Sequence, residues 1–505
     1  MKDTNNNKRI ATNTLYLYIR MLITMAVSLY SSRIVLDVLG VEDYGIYGIV
    51  GSVVVLFSFI SNAMTGASQR FFSYELGKTN NSRIKEIFGV SILAHILIIF
   101  IVLVLGETIG LWYMLKIMNL PESRFWAAQI VYQLTILSFL FSIIRIPYNA
   151  IIVSYEHMSF FAYMSILEVV LKLLVLYLLK ITTGDMLVVY GILILAVTII
   201  CTLAYVLYCQ RKFVECKPKI YWDKKMFGNL MSFTGWTLCG NVANVAAQQG
   251  GNLLLNSFFT VAVNAAYSLG NQVSSAVYGL VTNFQLAFRP QIVKLYAAGN
   301  TDELYMLIYR ASRFSFYLLL LIAVPFIINA DYIFSLWLKS VPEYSVLFCQ
   351  LFVCYCLIDS IQAPLWMLID ATGNIKTYAI WLSAMLILNI PISYVVLLWG
   401  GSPASVILVR VILNLITAIV RVGYIKKFIN FPSMEYIRQT YICIIVCLLV
   451  FALGYLIKDL CLKNDISELY SLIFSTLTTV LFIIIIGMNK KERSLAFNMI
   501  ISRFK

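Results

Sequence analysis

Stretches of about twenty mostly apolar residues recur along the whole chain, separated by short polar segments. Each stretch predicts a transmembrane helix, because a helix needs about 20 apolar residues to cross a bilayer. The sequence contains fourteen such spans, at residues 12–37, 44–68, 86–106, 127–153, 159–180, 186–208, 228–255, 262–287, 304–329, 344–369, 376–398, 403–425, 438–458 and 467–488. It therefore predicts an all-α integral membrane protein, whose first span is too long for a signal-peptide core and is expected to be retained.

The composition agrees with this reading, and the distribution of charge adds an orientation. Hydrophobic residues make up 61% of the 505 residues, charged residues only 12%, and the net charge is +14. The N-terminus, the tail and the loops on one side hold 23 Lys and Arg, whereas the loops on the other side hold four, namely Lys116, Arg124, Lys339 and Lys463. An excess of cations marks cytoplasmic loops. Both termini are therefore expected in the cytoplasm, and no nucleic-acid partner is expected.

Features of membrane enzymes are missing from the sequence. The ten cysteines form no CxxC pair, and the two histidines, His95 and His157, have no partner at metal-ligand spacing. The longest outer loop, about residues 107–126, is too short to house a catalytic domain, and no nucleophile–base or phosphate-loop motif is present. The sequence thus predicts a transporter with no cofactor and no metal, rather than an enzyme.

Two pairs of segments suggest an internal repeat. Residues 67–80 read ASQRFFSYELGKTN, and residues 287–300 read AFRPQIVKLYAAGN. Residues 145–163 parallel 362–380 in the same way, each with a proline and a polar turn about ten residues later. We therefore predict two six-span lobes, 1–210 and 227–425, followed by spans 13 and 14 in 438–488 and a basic cytoplasmic tail, 489–505. In such parallel repeats the substrate is expected between the halves.

Polar residues form stripes along four of the predicted spans. At 100° per residue, Asn13, Tyr16 and Thr24 share one helix face with Arg20, while Arg33 lies on the opposite face and is expected to pair with Asp37. The stripes of spans 2, 7 and 8 contain Asn62, Gln69, Asn241, Asn244, Gln248, Asn252, Asn271, Tyr278 and Gln285. Such stripes indicate either a water-filled cavity or amide bridges between packed helices, and their length favours the cavity.

Charged residues inside the spans are mostly positive. The cations are Arg20, Arg145, Lys172, Arg310, Arg313 and Arg410, and the carboxylates are Glu168 and Asp359. Glu168 and Lys172 are one turn apart and are expected to pair, and Asp359 is expected to pair with Arg410. The excess of cations favours an anionic cargo. If a proton or sodium gradient drives transport, Glu168 and Asp359 are the candidate coupling residues; otherwise both are static ion-pair members.

One block of the sequence resembles a known family. Residues 33–53, RIVLDVLGVEDYGIYGIVGSV, followed by ASQRFFSYELGK, resemble the start of a Wzx-type polysaccharide flippase of the multidrug/oligosaccharidyl-lipid/polysaccharide (MOP) exporter superfamily. The later PY…EHMSFFAY turn supports the resemblance. It implies a MATE-like, V-shaped pair of six-helix lobes around a cavity lined mainly by spans 1, 2, 7 and 8.

The resemblance also implies a substrate and a location. An undecaprenyl-diphosphate-linked oligosaccharide would be flipped across the bacterial inner membrane by alternating access, for O-antigen or capsule synthesis. The polymerase and glycosyltransferases of the same pathway are possible partners. Cationic residues of the cavity would meet the diphosphate. Arg20 is the best match, and the further candidates are Arg145, Lys172, Arg310 and Arg313.

Three other functions remain open at this stage. A drug/cation antiporter of the same superfamily should carry carboxylates in its site, whereas the first two spans offer an arginine and no acid within the membrane. A membrane polymerase or ligase acting on lipid-linked sugars would need a sizeable outer loop. A structural scaffold would not need polar stripes along whole spans.

Overall fold

The computed structural model describes most of the chain, and most of the described residues are helical. The described residues are 12–27, ten residues between 30 and 50, 57–78, 83–116, 122–182, 184–217, 221–259, 261–337, 341–428, 431–463, 468–490 and 492–494. No β-strand occurs among them. The predicted all-α class is confirmed.

In the described residues, fourteen helices overlap the fourteen predicted spans, and the second begins and ends later than predicted. In the first half they are α1 (12–27), α2 (Ser58–Gly77), α3 (Ile84–Leu105), α4 (Phe125–Ser154), α5 (Met158–Leu179) and α6 (Met186–Lys212). Next come α7 (Lys224–Phe258), α8 (Val261–Ala297), α9 (Thr301–Ile328), α10 (Ser345–Thr372), α11 (Lys376–Leu398) and α12 (Ser405–Phe428). The last two are α13 (Ser433–Lys463) and α14 (Glu468–Phe482). A π-helical turn, Gly106–Gly110, joins α3 to Leu111–Lys116, and a short helix, Ala330–Trp337, follows α9.

Ten of the helices in the described residues are long and apolar enough to cross a membrane. They are α3 to α6 and α9 to α14. Helices α2, α7 and α8 are long enough, with 20, 35 and 37 residues, but their polar residues keep them out of this group. The helices that carry the predicted polar stripes are therefore also the least apolar long helices in the described chain.

Two of the prolines inside the described helices lie at positions that the predicted repeat pairs. Pro147 lies near the end of α4, and Pro364 lies near the end of α10. A proline removes one backbone hydrogen bond, which neighbouring helices and polar side chains compensate within a membrane. Both helices end within three turns of the proline, as the repeat between residues 145–163 and 362–380 leads one to expect.

The helices pack into two compact units. The first contains Met1–Asn241, Val293–Gly299 and Gly373–Lys376, and the second contains Val242–Ile292, Asn300–Thr372 and Thr377–Lys505. In the first unit the ring of Phe88 packs against Phe72 and Tyr148, with centroids 6.2 and 5.3 Å away. The second unit has one core cluster around α9, α10 and α13 and another around Tyr267 and Phe352.

Candidate functional site

The polar face of α1 packs against α5 in the first unit. The guanidinium carbon of Arg20 lies 4.8 Å above the ring of Phe161. One turn earlier, the ring of Tyr16 meets that of Tyr163 edge-on, with centroids 6.0 Å apart. A cation over an aromatic face is stabilised by the ring quadrupole, most strongly where water is excluded. Arg20 is half-buried, and its contact with Phe161 helps to explain how α1 holds an arginine within a predicted span.

Next to this contact, α4 and α5 hold three charged side chains together. Glu168 accepts hydrogen bonds from Lys172 Nζ and from Arg145 Nη1, each at 2.8 Å. The predicted pair of Glu168 and Lys172 is therefore confirmed, and Arg145 is a second partner that the sequence did not predict. The Arg145 guanidinium also lies 5.5 Å from the ring centroid of Tyr205 on α6. One carboxylate thus balances two cations.

Tyr205 links the two groups, because it interacts electrostatically with both Arg20 and Arg145. We call Arg20, Arg145, Lys172 and Glu168 the cationic cluster. It contains three cations and one carboxylate, drawn from α1, α4 and α5. Three of the predicted diphosphate candidates are therefore neighbours in one unit, and their charge remains positive after Glu168 is counted.

The other polar residues predicted on α1 and α2 differ in exposure. The Thr24 hydroxyl donates to the carbonyl of Met21 in its own helix at 3.0 Å. Asn13 and Gln69 are buried, each 6% exposed, whereas Asn62 is exposed. Arg33 and Asp37, the pair predicted for the outer interface, lie outside the described residues.

In the second unit, the amide stripes of α7 and α8 meet at one point. Gln248 Nε2 donates to Asn271 Oδ1 at 2.6 Å, and the Tyr267 hydroxyl donates to the backbone carbonyl of Gln248 at 3.3 Å. At this level the amides bridge two packed helices. In contrast, Asn252 Oδ1 and Gln285 Nε2 are buried and have no hydrogen-bond partner in the described part of the chain.

Two further amides of α7 lie toward the start of the same stripe. Asn244 is exposed, and Asn241, the last residue of the first unit's longest segment, is half-buried. The stripe therefore contains both bridging and accessible amides.

The predicted ion pair between Asp359 and Arg410 is wrong. Among the described residues no salt bridge joins them; instead, the Tyr278 hydroxyl donates to Asp359 Oδ2. The Arg410 guanidinium lies 4.7 Å from the ring centroid of Tyr355. Each of the two charged side chains instead contacts a tyrosine on a neighbouring helix. A prediction that compared only the two charged residues could not foresee this.

Arg310 and Arg313 lie in the second unit, apart from the residues of the cationic cluster. Arg313 Nη2 donates to Glu492 Oε1 at 2.6 Å, and Arg310 Nε lies 3.9 Å from the same oxygen. Glu492 follows α14 in the tail. This carboxylate was absent from the predicted site, because nothing in the sequence indicates where the tail returns.

Segments from the second half of the chain also belong to the first unit. Lys294, near the end of α8, donates to the Glu156 carboxylate at 2.6 Å, and the Glu156 side chain is fully buried. Gly77, at the end of α2, lies against the Lys294 carbonyl and Ala297. We call Gly77, Glu156, Lys294 and Ala297 the α2–α8 junction. It lies at helix ends that the charge distribution predicts to be cytoplasmic.

His157 follows Glu156 in the turn between α4 and α5. Burial lowers the pKa of its imidazole, and the nearby Lys212 ammonium lowers it further. Its ring meets that of Phe213 edge-on, with centroids 5.6 Å apart. The histidine at this turn is therefore neutral at pH 7 and adds no charge to the junction.

The family model described as MatE matches residues 17–178 and 241–395, which together are well over half of the chain. The chain belongs to the MatE family. MatE proteins are membrane transporters that work by alternating access and are not enzymes, so the expected transporter class and multi-pass membrane location are confirmed at this level. No curated protein sequence matches the chain.

Solved structures of MATE transporters share the fold. One is described as the outward-facing conformation of a multidrug resistance MATE family transporter of the MOP superfamily, with a TM-score of 0.71, 12% identity, and coverage of 86% of this chain and 96% of that one. Another, the Vibrio cholerae MATE transporter VcmN in the bent form, has a TM-score of 0.64 and 16% identity, with 86% and 99% covered. At these identities the similarity shows the MATE fold alone.

Three aromatic residues of the candidate site were not predicted from the sequence. Phe161, Tyr163 and Tyr205 contact or interact with the polar side chains of α1 and α4. In a chain with 32 tyrosines and 31 phenylalanines, an aromatic residue in a span carries little signal by itself. The helical angle identifies the polar face of one helix, but only packing shows which rings cover it.

Proposed function

We propose that this MatE transporter moves an undecaprenyl-diphosphate-linked oligosaccharide from the cytoplasmic to the outer leaflet of the bacterial inner membrane. The observation that supports this proposal is the cationic cluster. Buried charges are costly unless they are paired; here Glu168 pairs with Arg145 and Lys172, and Arg20 adds a third cation to the cluster. A site of this charge suits an anionic group better than a cationic one.

The chemistry of Arg20 suits a diphosphate. Each phosphate of a diphosphate diester is ionised at neutral pH and offers several acceptor oxygens. A guanidinium recognises such groups through in-plane N–H donors, often two at a time. The contact of Arg20 with the Phe161 ring, 4.8 Å from the guanidinium carbon, is a cation–π contact and uses none of the N–H donors in hydrogen bonds.

Arg145 and Lys172 are secondary candidates for the same diphosphate. Both already donate to Glu168, and a phosphate would have to share them with that carboxylate. Lys172 is the more accessible of the two, with 42% of its side chain exposed. We therefore assign the first contact to Arg20 and charge compensation to the other two.

The neutral polar residues suit the sugar part of such a substrate. Amides and hydroxyls both donate and accept hydrogen bonds, as sugar hydroxyls require. Asn241, Asn244 and Gln248 on α7 are partly or fully exposed. If both Asn241→Ala and Gln248→Ala left transport unchanged, this part of the proposal would be wrong.

Deletion of the gene followed by lipid analysis tests the function. The expected result is accumulation of a complete lipid-linked repeat on the cytoplasmic leaflet, because glycosyltransferases would still supply it and nothing would flip it. Restoring the unmodified gene should remove the accumulation. Repeats already outside, with polymer length control lost, would instead indicate a polymerase and refute the flippase proposal.

A drug/cation antiporter is the second candidate, and one observation favours it. Asp359 has a hydroxyl partner, Tyr278, and no cationic partner within salt-bridge distance among the described residues. A carboxylate of this kind can exchange a proton for a cation, and one similar structure is described as a multidrug resistance transporter. Efflux of ethidium that is lost in Asp359→Asn would support this function, whereas no ethidium efflux would exclude it.

Gradient coupling belongs to either function. Glu168 is engaged by two cations, so Asp359 is the better candidate for a proton or sodium site. Transport measured with and without a collapsed gradient tests coupling, and Asp359→Asn should make the two rates equal.

A further inference from the structure

A second ionic site lies in the second unit, between the first half of α9, the start of α13 and the segment after α14. A cavity of about 660 Å³ opens there. Its lining includes Arg310 and Arg313 from α9, Glu435 and Gln439 from α13, and Glu492 from the tail. The volume lies within the range of about 300–1,000 Å³ that small-molecule sites occupy.

The length of α9 places this cavity at a membrane interface. The helix has 28 residues, or about 42 Å at 1.5 Å per residue, whereas the hydrocarbon core is about 30 Å thick. About eight residues therefore extend beyond the hydrocarbon. Because the charge distribution puts the start of α9 on the cytoplasmic side, Arg310 and Arg313 fall near the level of the inner headgroups.

Arg313 is buried and only partly satisfied. It is 3% exposed, and although Nη2 donates to Glu492, its Nε and Nη1 atoms are buried and find no hydrogen-bond partner among the described residues. Burying charged donors without acceptors is costly, so such groups in a cavity indicate a missing acceptor. The cavity beside Arg313 and Arg310 is where that acceptor would lie.

Glu492 shows what kind of group the two arginines bind. Its Oε1 atom meets both arginines, and its Oε2 atom accepts from the backbone N–H of Asn489 at 2.9 Å. The phosphate of a phospholipid, like a carboxylate, carries one negative charge on two terminal oxygens and can accept from two arginines. Glu492 is thus a carboxylate from the chain itself at a place that a lipid phosphate would also fit.

Two further acidic residues indicate that the ligand also carries a positive charge. Asp302 and Glu435 line the same cavity, together with one further cation, Lys490, and Asp302 precedes Arg313 by three turns of α9. A purely anionic ligand would meet repulsion from both. A ligand that carries an ammonium group next to its phosphate would place one charge on the arginines and the other on the acids.

We propose that this cavity binds the phosphoethanolamine headgroup of a membrane phospholipid, and that Glu492 competes with its phosphate for Arg310 and Arg313. The site is separate from the cationic cluster, and these two arginines then serve lipid binding rather than the transported diphosphate. Tail and headgroup exclude each other, so the lipid would release the tail from α9.

Native mass spectrometry of the detergent-purified full-length protein tests this. The probes are dioleoyl phosphatidylethanolamine, dioleoyl phosphatidylcholine, dioleoylglycerol and the soluble glycerophosphoethanolamine. We expect phosphatidylethanolamine to be retained about tenfold more tightly than dioleoylglycerol, because a charged hydrogen-bonded contact has that effect. Phosphatidylcholine, whose quaternary ammonium has no N–H donor, should be intermediate.

Three variants and a control define the site. Arg313→Gln should lose the preference for phosphatidylethanolamine over dioleoylglycerol, and Arg310→Gln, at a more exposed position, should reduce it even if Arg313→Gln fails to fold. Glu492→Gln should strengthen retention several-fold, since the competing charge is gone. Arg493→Gln is the matched control, because Arg493 is exposed and its side chain donates to the Met488 carbonyl of the described tail rather than to a side chain of the cavity.

Other results would overturn the proposal. Equal retention of phosphatidylethanolamine and dioleoylglycerol would mean that no headgroup phosphate is recognised. Weaker retention in Glu492→Gln would make the Glu492–Arg313 pair a structural lock. Displacement of bound phosphatidylethanolamine by glycerophosphoethanolamine at equal concentration would point to a soluble phosphate ester and refute the lipid.

Discussion

Replacing Gly77 with alanine is expected to open the α2–α8 junction. A Cβ at this position would lie 2.3 Å from the Lys294 carbonyl oxygen and 2.7 Å from Ala297 Cβ, so the backbones must part by at least 0.7 Å to reach the 3.0 Å that real Cβ contacts require. Overpacking of this kind costs about 1–3 kcal/mol. In an alternating-access transporter that cost lowers the equilibrium constant between the state containing the contact and the states without it by about 5- to 150-fold.

Cross-linking measures the change. The rings of Tyr74 and Tyr296 lie 6.4 Å apart beside the junction, so Tyr74→Cys with Tyr296→Cys should react with a short bifunctional thiol reagent, in a background where the exposed Cys239 is replaced by serine. Adding Gly77→Ala should reduce the yield strongly. Gly279→Ala on α8 is the matched control, because a Cβ there meets nothing within 4 Å. An unchanged yield in Gly77→Ala would refute the steric reasoning.

Three further predictions concern charged groups. Glu168→Gln should lower the free energy of unfolding by about 1–3 kcal/mol, because two partly buried cations lose their carboxylate. Lys172→Met should lower it less. Equal melting temperatures of both variants and the unmodified protein would contradict this prediction. Asp359→Asn should leave the protein folded but make transport independent of the ion gradient, and transport that remains gradient-driven would remove Asp359 from coupling. The backbone N–H of Met226 holds the pKa of Asp223 below its usual value. The stabilising effect of Asp223 is therefore complete above about pH 4 and fades as the pH falls through the pKa that Asp223 has in the folded state. Thermal melting of Asp223→Ala should converge with that of the unmodified protein only in acid.

The sequence predicted the helices and the polar faces, because both follow from properties of one segment at a time. Apolar length identifies a span, and an angle of 100° per residue groups Asn13, Tyr16, Arg20 and Thr24 on one face. The pair of Glu168 and Lys172 was predicted for the same reason, since four residues of one helix separate them.

Contacts between helices were not predictable in this way. Asp359 and Arg410 lie on different helices. Asp359 accepts a hydrogen bond from Tyr278 on α8, and Arg410 faces the ring of Tyr355, which lies on the same helix as Asp359. Glu492 reaches Arg313 only because the chain returns after α14. Which face meets which neighbour depends on packing, and a single sequence contains little information about it.

The central claim is that Arg20 meets the diphosphate of a lipid-linked sugar, and transport by the purified protein in vesicles tests it most directly. Flipping of a labelled undecaprenyl-diphosphate-linked oligosaccharide should fall about tenfold or more in Arg20→Ala, because charge-assisted hydrogen bonds to phosphate are lost. Arg20→Lys should be intermediate, and Arg83→Ala, which removes an exposed arginine paired with Glu86, should be unaffected. Unimpaired flipping by a folded Arg20→Ala variant would contradict the account.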